Sequence, residues 1–524
     1  MRNLVIFVNA PNTDDILVDG DNSLQAVTKG MQHTDWANFP HLGILSLASH
    51  TQACGFESVY FDGVALDLSV LLGFIEKESS RILALCCSSI TANFGASEYI
   101  SRFTKGVDPR ITTIFGNDHF SVMRDKIVSR YGSIDYGIVG NEVYGSLSTL
   151  LNSISVGSPV DDKLPGLVSK HSLEPVPTGD EDINPTIDYS LIDRHFKHSH
   201  IYNNNFQSRL TDRIYELTGR KVTSGVPVEI ARGCIKFKGD DACSFCSIQY
   251  GGMWRNHLGH EKAWNTIKQA HDYGYDYLYV TADELPLTFA RLLLDMAKNT
   301  PGWWLKTPVG SRPMLVGYAR ADGIQKKNVM SAMASIGFKI LFVGIDAGAQ
   351  KSLQALRKPL KSKNEIASSE SMYESNLSAI ENAKTYDIKI KAGFVLGHIG
   401  MNKQLLRENI EEYKNLLDLG KEVIISADVE MLSPEPGSKD YNFLTAPSVA
   451  ELEAHKLNVS ISSLETRDRI ANYYRPKDIF DRESAISDYI KAMMPELERS
   501  DLAQARDEIR SFSREVGIVV GDDL

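Results

Sequence analysis

Cysteine is scarce in this chain of 524 residues, with only six in all. So few thiols exclude a disulfide-stapled scaffold, which uses them at far higher density. Long apolar runs are missing as well. None reaches the roughly eighteen residues of a membrane span, and the strong runs are strand-length. The opening MRNLVIFVNAP has an apolar stretch of about six residues and no small-residue cleavage site, so no secretory leader is expected and the cytoplasm is the expected compartment. An excess of positive charge is absent: the net charge is −11, which argues against a general nucleic-acid binder while leaving room for a local basic pocket. There is no low-complexity tract and no solenoid-length repeat.

What is present is the profile of a soluble globular protein, 43% hydrophobic and 23% charged. The length exceeds one ordinary core, so two or three domains are expected. Over residues 1–155, short apolar runs alternate with helical patterns. LVIFVN, SVYFDG, ILALCCSS, TTIFGND and YGIVGN each read as a buried parallel strand ending in small or polar residues, where such strands meet a ligand crevice. LGILSLASHTQACG is a helix closed by Gly55. This predicts a doubly wound α/β domain. Residues 156–225 are rich in proline, aspartate and glycine and read as a linker, interrupted by a short helix around DYSLIDRHF.

From 226 to 445 the alternation returns with a longer period. PVEIA, YLYVT, MLVGYA, ILFVGI, IKAGFVLG and VIISADVE are candidate strands, and six βα units predict a partial barrel with its site at the strand carboxyl ends. Residues 446–524 have helical spacing, and Ser448 with Glu451 reads as a capping box.

Cys54, Cys86 and Cys87 lie in apolar contexts and read as buried core thiols. Cys234, Cys243 and Cys246 fall within thirteen residues, in RGCIKFKGDDACSFCSIQYGG. Three thiolates hold a metal group and leave one coordination position open, as a catalytic centre needs; four would close it. Zinc is one alternative, but its fourth ligand is not obvious, because His257 and His260 are badly spaced. A redox dithiol at Cys243 and Cys246 leaves Cys234 unexplained, and three unrelated core thiols do not explain the clustering. The loop follows the first strand of the second βα series, a position that favours an iron–sulfur cluster.

Here the chain resembles the radical S-adenosylmethionine (SAM) superfamily, whose members carry three cysteines, usually as Cys-x3-Cys-x2-Cys, in the loop after the first barrel strand. The resemblance implies a 4Fe-4S cluster on Cys234, Cys243 and Cys246, chelated by SAM, with Phe245 near the adenine. The first spacing departs from the pattern, being Cys-x8-Cys. Further segments match in order. TADE stands where a Gly-Gly-Glu segment grips the SAM amino group, so Asp283 or Glu284 is implied as the carboxylate, without the glycines. GYARADG implies Arg320 at the SAM carboxylate, and GIDAGA implies Asp346 at the ribose. AGFVLG resembles the adenine-binding strand, with Gly393 and Gly397 admitting close approach. On the residues alone, Arg320 pairing with Asp322 or Asp346, and Asp346 as a helix N-cap, are equally open.

The front domain resembles the cobalamin-binding domain of the class B radical SAM methylases, with FGNDHFS and VGNEVYG as loosened motifs. Ser88, Ser89, Gly116 and Gly140 are then implied around the corrin. His119 is a possible wall residue rather than a cobalt ligand, since Asp-x-His-x-x-Gly is not met. A degenerate front domain that binds nothing is the alternative.

The resemblance implies a methyltransferase that uses a 5′-deoxyadenosyl radical and methylcobalamin on an unactivated carbon or a phosphinate phosphorus of a small molecule, such as a natural-product intermediate. An electron donor such as flavodoxin or ferredoxin is implied, and neither a membrane nor a nucleic-acid partner is. Lys236, Lys238, Lys306, Arg312 and Arg320 are candidates to hold an anionic substrate near the barrel mouth, although for most of them a solvated surface is the preferred reading. Rival readings are a rearranging or cyclising radical enzyme, a cluster-free binding protein of the same fold, and a zinc-stabilised α/β protein. A methylthiotransferase is disfavoured, because it needs three further front-domain cysteines at a characteristic spacing.

Overall fold

A computed structural model describes residues 2–12, 37–140, 143–177, 183, 186–237, 242–247, 255–360, 365–478 and 480–520. Among these, no helix is long and apolar enough to cross a membrane.

The first sheet is built from β1 (Leu4–Asn9), β2 (Glu57–Asp62), β3 (Ile82–Ser88), β4 (Thr112–Gly116), β5 (Tyr136–Ile138) and β6 (Leu167–Ser169), in the order β2-β1-β3-β4-β5-β6. The first five are parallel, and β6 adds antiparallel to β5. Every residue of β1 is buried, as expected of a continuous apolar run in a sheet covered on both faces. The helix Leu42–Ala53 ends where Gly55 takes φ +94°, a conformation that costs glycine nothing. The chain leaves β1 to one side for β2 and then crosses to β3 on the other. The β1/β3 crevice is therefore the switch point at which a doubly wound sheet binds ligands.

The remaining strands are β7 (Gly225–Val228), β8 (Ala231–Gly233), β9 (Arg255–His257), β10 (Tyr277–Val280), β11 (Met314–Arg320), β12 (Phe338–Asp346), β13 (Lys389–Leu396), β14 (Ile424–Met431) and β15 (Val519–Val520). Seven form a parallel sheet in the order β15-β14-β13-β12-β11-β10-β7, open between its two edge strands. This is the six-unit partial barrel with one short strand added at its edge. β8 and β9 make a separate antiparallel ribbon that brackets the cysteine loop, a feature the sequence pattern does not reveal.

The stretch between the two sheets is more ordered than its composition suggests. It contains β6 and the helices Leu191–Arg194, His198–Phe206 and Asp212–Thr218. Phe206, Leu210 and Ile214 recur every four residues and plug the second sheet from within, against Tyr277, Val316 and Ile340. On the other side of the same segment, Tyr202 donates to Asp62 Oδ2 at 2.6 Å and His198 Nε2 accepts from the Asp62 N–H at 3.1 Å. One segment therefore packs on both sheets. The C-terminal helices Lys439–Thr445, Pro447–Leu457, Leu464–Tyr474, Arg482–Met493 and Arg499–Glu515 precede β15. The expected capping box is not formed. Pro447 sets the first helical residue, so Ser448 lies inside the helix and Glu451 instead accepts from Arg467 at 2.7 Å.

Candidate active site

The strand carboxyl ends of both sheets open into one cavity of about 1240 Å³. Cys234, Cys243 and Cys246 all line it, with Phe245 beside them. The loop that carries them is tied down at several points. Gly233 N donates to Asp283 Oδ2 at 3.0 Å, and Ile235 N to Thr288 Oγ1 at 2.9 Å. Ser244 N donates to the Leu356 carbonyl and Asp440 N to the Ser244 carbonyl, each at 3.0 Å. Lys236, a buried residue of the long insert, donates Nζ to the Pro359 carbonyl at 2.7 Å. The Cys-x8-Cys spacing thus carries its own anchor. Lys238 lies outside the described residues.

Burial pushes the Cys234 thiol up to about 12, with smaller contributions from Cys243 and Glu284 in the same direction. A thiol in such a place gives up its proton when a cation takes its place.

At the end of β10, neighbours diverge. Asp283 lines the cavity, and burial raises its carboxyl. Glu284 does not line it. It is fully buried, raised by burial, and accepts from Leu287 N at 2.7 Å, Thr288 N at 2.6 Å and Thr288 Oγ1 at 2.5 Å. Its role in this geometry is to hold Thr288, which in turn holds the cysteine loop.

Arg320, at the end of β11, lines the cavity but is already engaged. It grips Asp322 with Nε at 2.9 Å and Nη2 at 2.8 Å, and Nη2 also reaches the Lys358 carbonyl at 2.9 Å. Burial disfavours its charge, and Asp322 more than offsets that. Asp346 takes φ +61° and forms a buried ion pair with Lys358, so it is not a helix N-cap. A Cβ at Gly344 would stand 2.9 Å from Lys358 Nζ, so a larger residue there would have to displace the lysine tip. Gly393 lines the cavity, and the nearest atom to a Cβ there would be 3.9 Å away. Gly397 does not line it; it faces Met494 and Leu502 of the C-terminal region.

On the front sheet, Ser88, Gly116 and Gly140 line the cavity. A Cβ at Gly116 would meet the Ile138 carbonyl at 3.3 Å, a tight contact that favours glycine there. Ser89 is fully buried behind them, its N–H donating to the Gly116 carbonyl at 3.0 Å. His119 is not a wall residue. Its Nε2 lies 2.8 Å from the Asp478 carbonyl and its ring packs on Phe94, while burial drives its pKa down to about 4. Asn117 and Asp118, just before it, face the cavity instead.

One further correction, at Cys54, and two placements concern thiols and cations. Cys54 is exposed, not buried, because it stands just past a helix end. Cys86 and Cys87 are buried as expected, yet both also line the cavity. Lys306 is exposed and Arg312 stacks 5.4 Å from the Trp304 ring; neither reaches the cavity. Residues not anticipated from sequence include Lys358, His41, Tyr279, Tyr318, Phe342 and Lys391. A signal existed for Lys391, a charged residue that alternates with apolar ones in its strand and so shares one face with Lys389.

This architecture is the fold of cobalamin-dependent radical SAM enzymes. It resembles the radical SAM methyltransferase TsrM from Kitasatospora setae, solved with cobalamin and a 4Fe-4S cluster bound, at TM-score 0.60 and 15% identity over 85% of this chain and 78% of that one. A second TsrM structure, with tryptophan substrate and the SAM analogue aza-SAM, matches at TM-score 0.57 and 15% identity over 84% and 75%. The cobalamin-dependent SAM radical enzyme OxsB, with aqua-cobalamin and SAM bound, matches at TM-score 0.59 and 12% identity over 98% and 72%. No family model and no curated protein matches the chain.

Proposed function

We propose that this chain is a cobalamin-dependent radical SAM enzyme that transfers a methyl group to an unactivated carbon or a phosphinate phosphorus of a small molecule. One observation carries the reading: three cysteines on one wall and the open, glycine-bearing strand ends of a doubly wound sheet on the other face a single cavity.

In this reading Cys234, Cys243 and Cys246 hold the cluster. Asp283, Gly393 and Phe245 shape the SAM pocket, and the Arg320–Asp322 and Lys358–Asp346 pairs fix its walls. Ser88, Gly116 and Gly140 leave room for the corrin. When bound, these groups supply a carbon radical and a transferable methyl; the protein positions them and keeps water out. A flavodoxin or ferredoxin is the electron donor in this reading.

Anaerobic reconstitution with iron, sulfide and hydroxocobalamin tests it, by metal and sulfide analysis and absorbance. About four irons and one cobalamin per chain are expected, and Cys243→Ala should lose the iron while keeping cobalamin. Iron without cobalamin would favour a radical enzyme that does not methylate, and zinc in place of iron would sink the radical reading.

A further inference from the structure

The interior of the second sheet carries an aromatic shelf that the cofactor assignments do not use. Tyr318 (β11), Phe342 (β12) and Lys391 (β13) are register partners on adjacent strands, so their side chains form one row across the inner face. Tyr279 on β10 joins them, with Phe39 stacked on its ring at 6.2 Å, so Tyr318 is the ring left open. The Tyr279 ring lies 5.6 Å from Tyr318 and 5.7 Å from Phe342, and Tyr318 and Phe342 are 5.1 Å apart. All four residues line the cavity.

The next row towards the strand carboxyl ends is Arg320, Gly344 and Gly393, where the proposed SAM pocket lies. Two residues along a strand are about 7 Å, so the shelf sits directly beneath that pocket. Below the shelf, the apolar plug of Phe206, Tyr277, Val316 and Ile340 closes the sheet. A ligand on the shelf is therefore held just below the proposed SAM pocket and can sink no further.

Tyr318 marks the shelf as a binding surface. It is 41% exposed although the other six residues of β11 are all buried. A large ring left uncovered at the centre of a molecule is unfavourable unless something covers it. The chemistry of the cover follows from the shelf. It offers the Tyr318 ring for offset or edge-to-face contact and a rim of phenol hydroxyls, while Lys391 Nζ, 4.6 Å from the Phe342 ring centre, already covers one side of Phe342. An aliphatic chain would waste both features.

Resting on the function proposed above, we propose that the substrate presents a planar aromatic or heteroaromatic ring to Tyr279, Tyr318 and Phe342. The test uses the chain loaded with cluster and cobalamin, with aza-SAM present, and measures binding of L-tryptophan, L-phenylalanine and L-cyclohexylalanine by calorimetry. The last matches phenylalanine in size but lacks the π system. At least one aromatic probe should bind more tightly than cyclohexylalanine. Tyr318→Ala should weaken it about fivefold to tenfold, and Tyr318→Phe should retain it. Equal binding of the saturated probe, no binding of either aromatic probe, or indifference to Tyr318→Ala would each overturn the inference. If Tyr318→Ala does not fold, Phe342→Leu takes its place with the same expected loss. Iron and cobalt are counted on the same samples. Loaded protein that ignores the aromatic probes sinks this inference alone, whereas failure to load sinks the proposed function and this inference with it.

Discussion

At the scale of single residues, the cluster of Cys234, Cys243 and Cys246 was legible because spacing is a one-dimensional property. The fate of adjacent residues was not. Asp283 faces the cavity while Glu284 is turned inward to Thr288, and His119 is turned away where Asn117 and Asp118 are not. Neighbours at a strand end point to opposite sides, and which side is the cavity depends on what packs there. Thiol reactivity follows the same environment. Burial raises Cys86 and Cys234, whereas Cys54 is exposed. The thiolate is the nucleophile, so in iron-free native protein iodoacetamide at about pH 8 should label Cys54 first. Cys86 and Cys234 should follow only on unfolding. Early labelling of Cys234, read by peptide mass spectrometry, would mean that the cysteine loop is open without its cluster.

At the scale of elements, long periodic segments were readable. Five of the six main strands of the second sheet and the first five of the front sheet fall where apolar runs predict them; β7 starts two residues before PVEIA and ends at Val228, and Ala231 belongs to β8. The elements that escaped are short: β6, the β8–β9 ribbon, β15 and the helices of the linker. A strand of two or three residues has too little pattern to see, and only its partner stabilises it. The helix Lys439–Thr445 shows how such packing alters chemistry. Asp440 is fully buried beside the cysteine loop and is hydrogen-bonded by Tyr489; burial raises its pKa from 3.8 to about 6. A raised carboxyl binds its proton more tightly when folded. Its contribution is therefore full below about pH 4 and lost as pH rises through about 6. Asp440→Asn should gain on the wild type across that window, by at most about 3 kcal/mol, in urea denaturation at pH 4 and 7. The same difference at both pH values would show that Asp440 is not held protonated.

At the scale of the whole molecule, two polar junctions join segments far apart in sequence. Asp478 is buried against the front sheet, paired with Arg130 at 2.6 Å, and its carbonyl meets His119. Asp62, at the end of β2, accepts from Asn9 Nδ2 at 2.9 Å, from the Val64 N–H at 3.0 Å and from Tyr202 of the linker. Removing one buried carboxylate leaves several donors without an acceptor. Asp62→Ala should cost about 2–4 kcal/mol in urea denaturation, and Tyr202→Phe less. A change below about 0.5 kcal/mol for Asp62→Ala would mean that water replaces the carboxylate and that the junction is not a structural joint.

The sequence by itself determined the two α/β halves, their strand order along the chain and the cysteine cluster, because periodicity and spacing are local and survive without knowledge of partners. Only the tertiary structure decided which residues share the cavity. It turned Cys86, Cys87 and Tyr318 towards it and Glu284, Gly397 and His119 away, and it occupied Arg320 and Asp346 with Asp322 and Lys358. Those outcomes depend on register between strands and on ion pairs between distant segments, and neither is written in any local stretch of the chain.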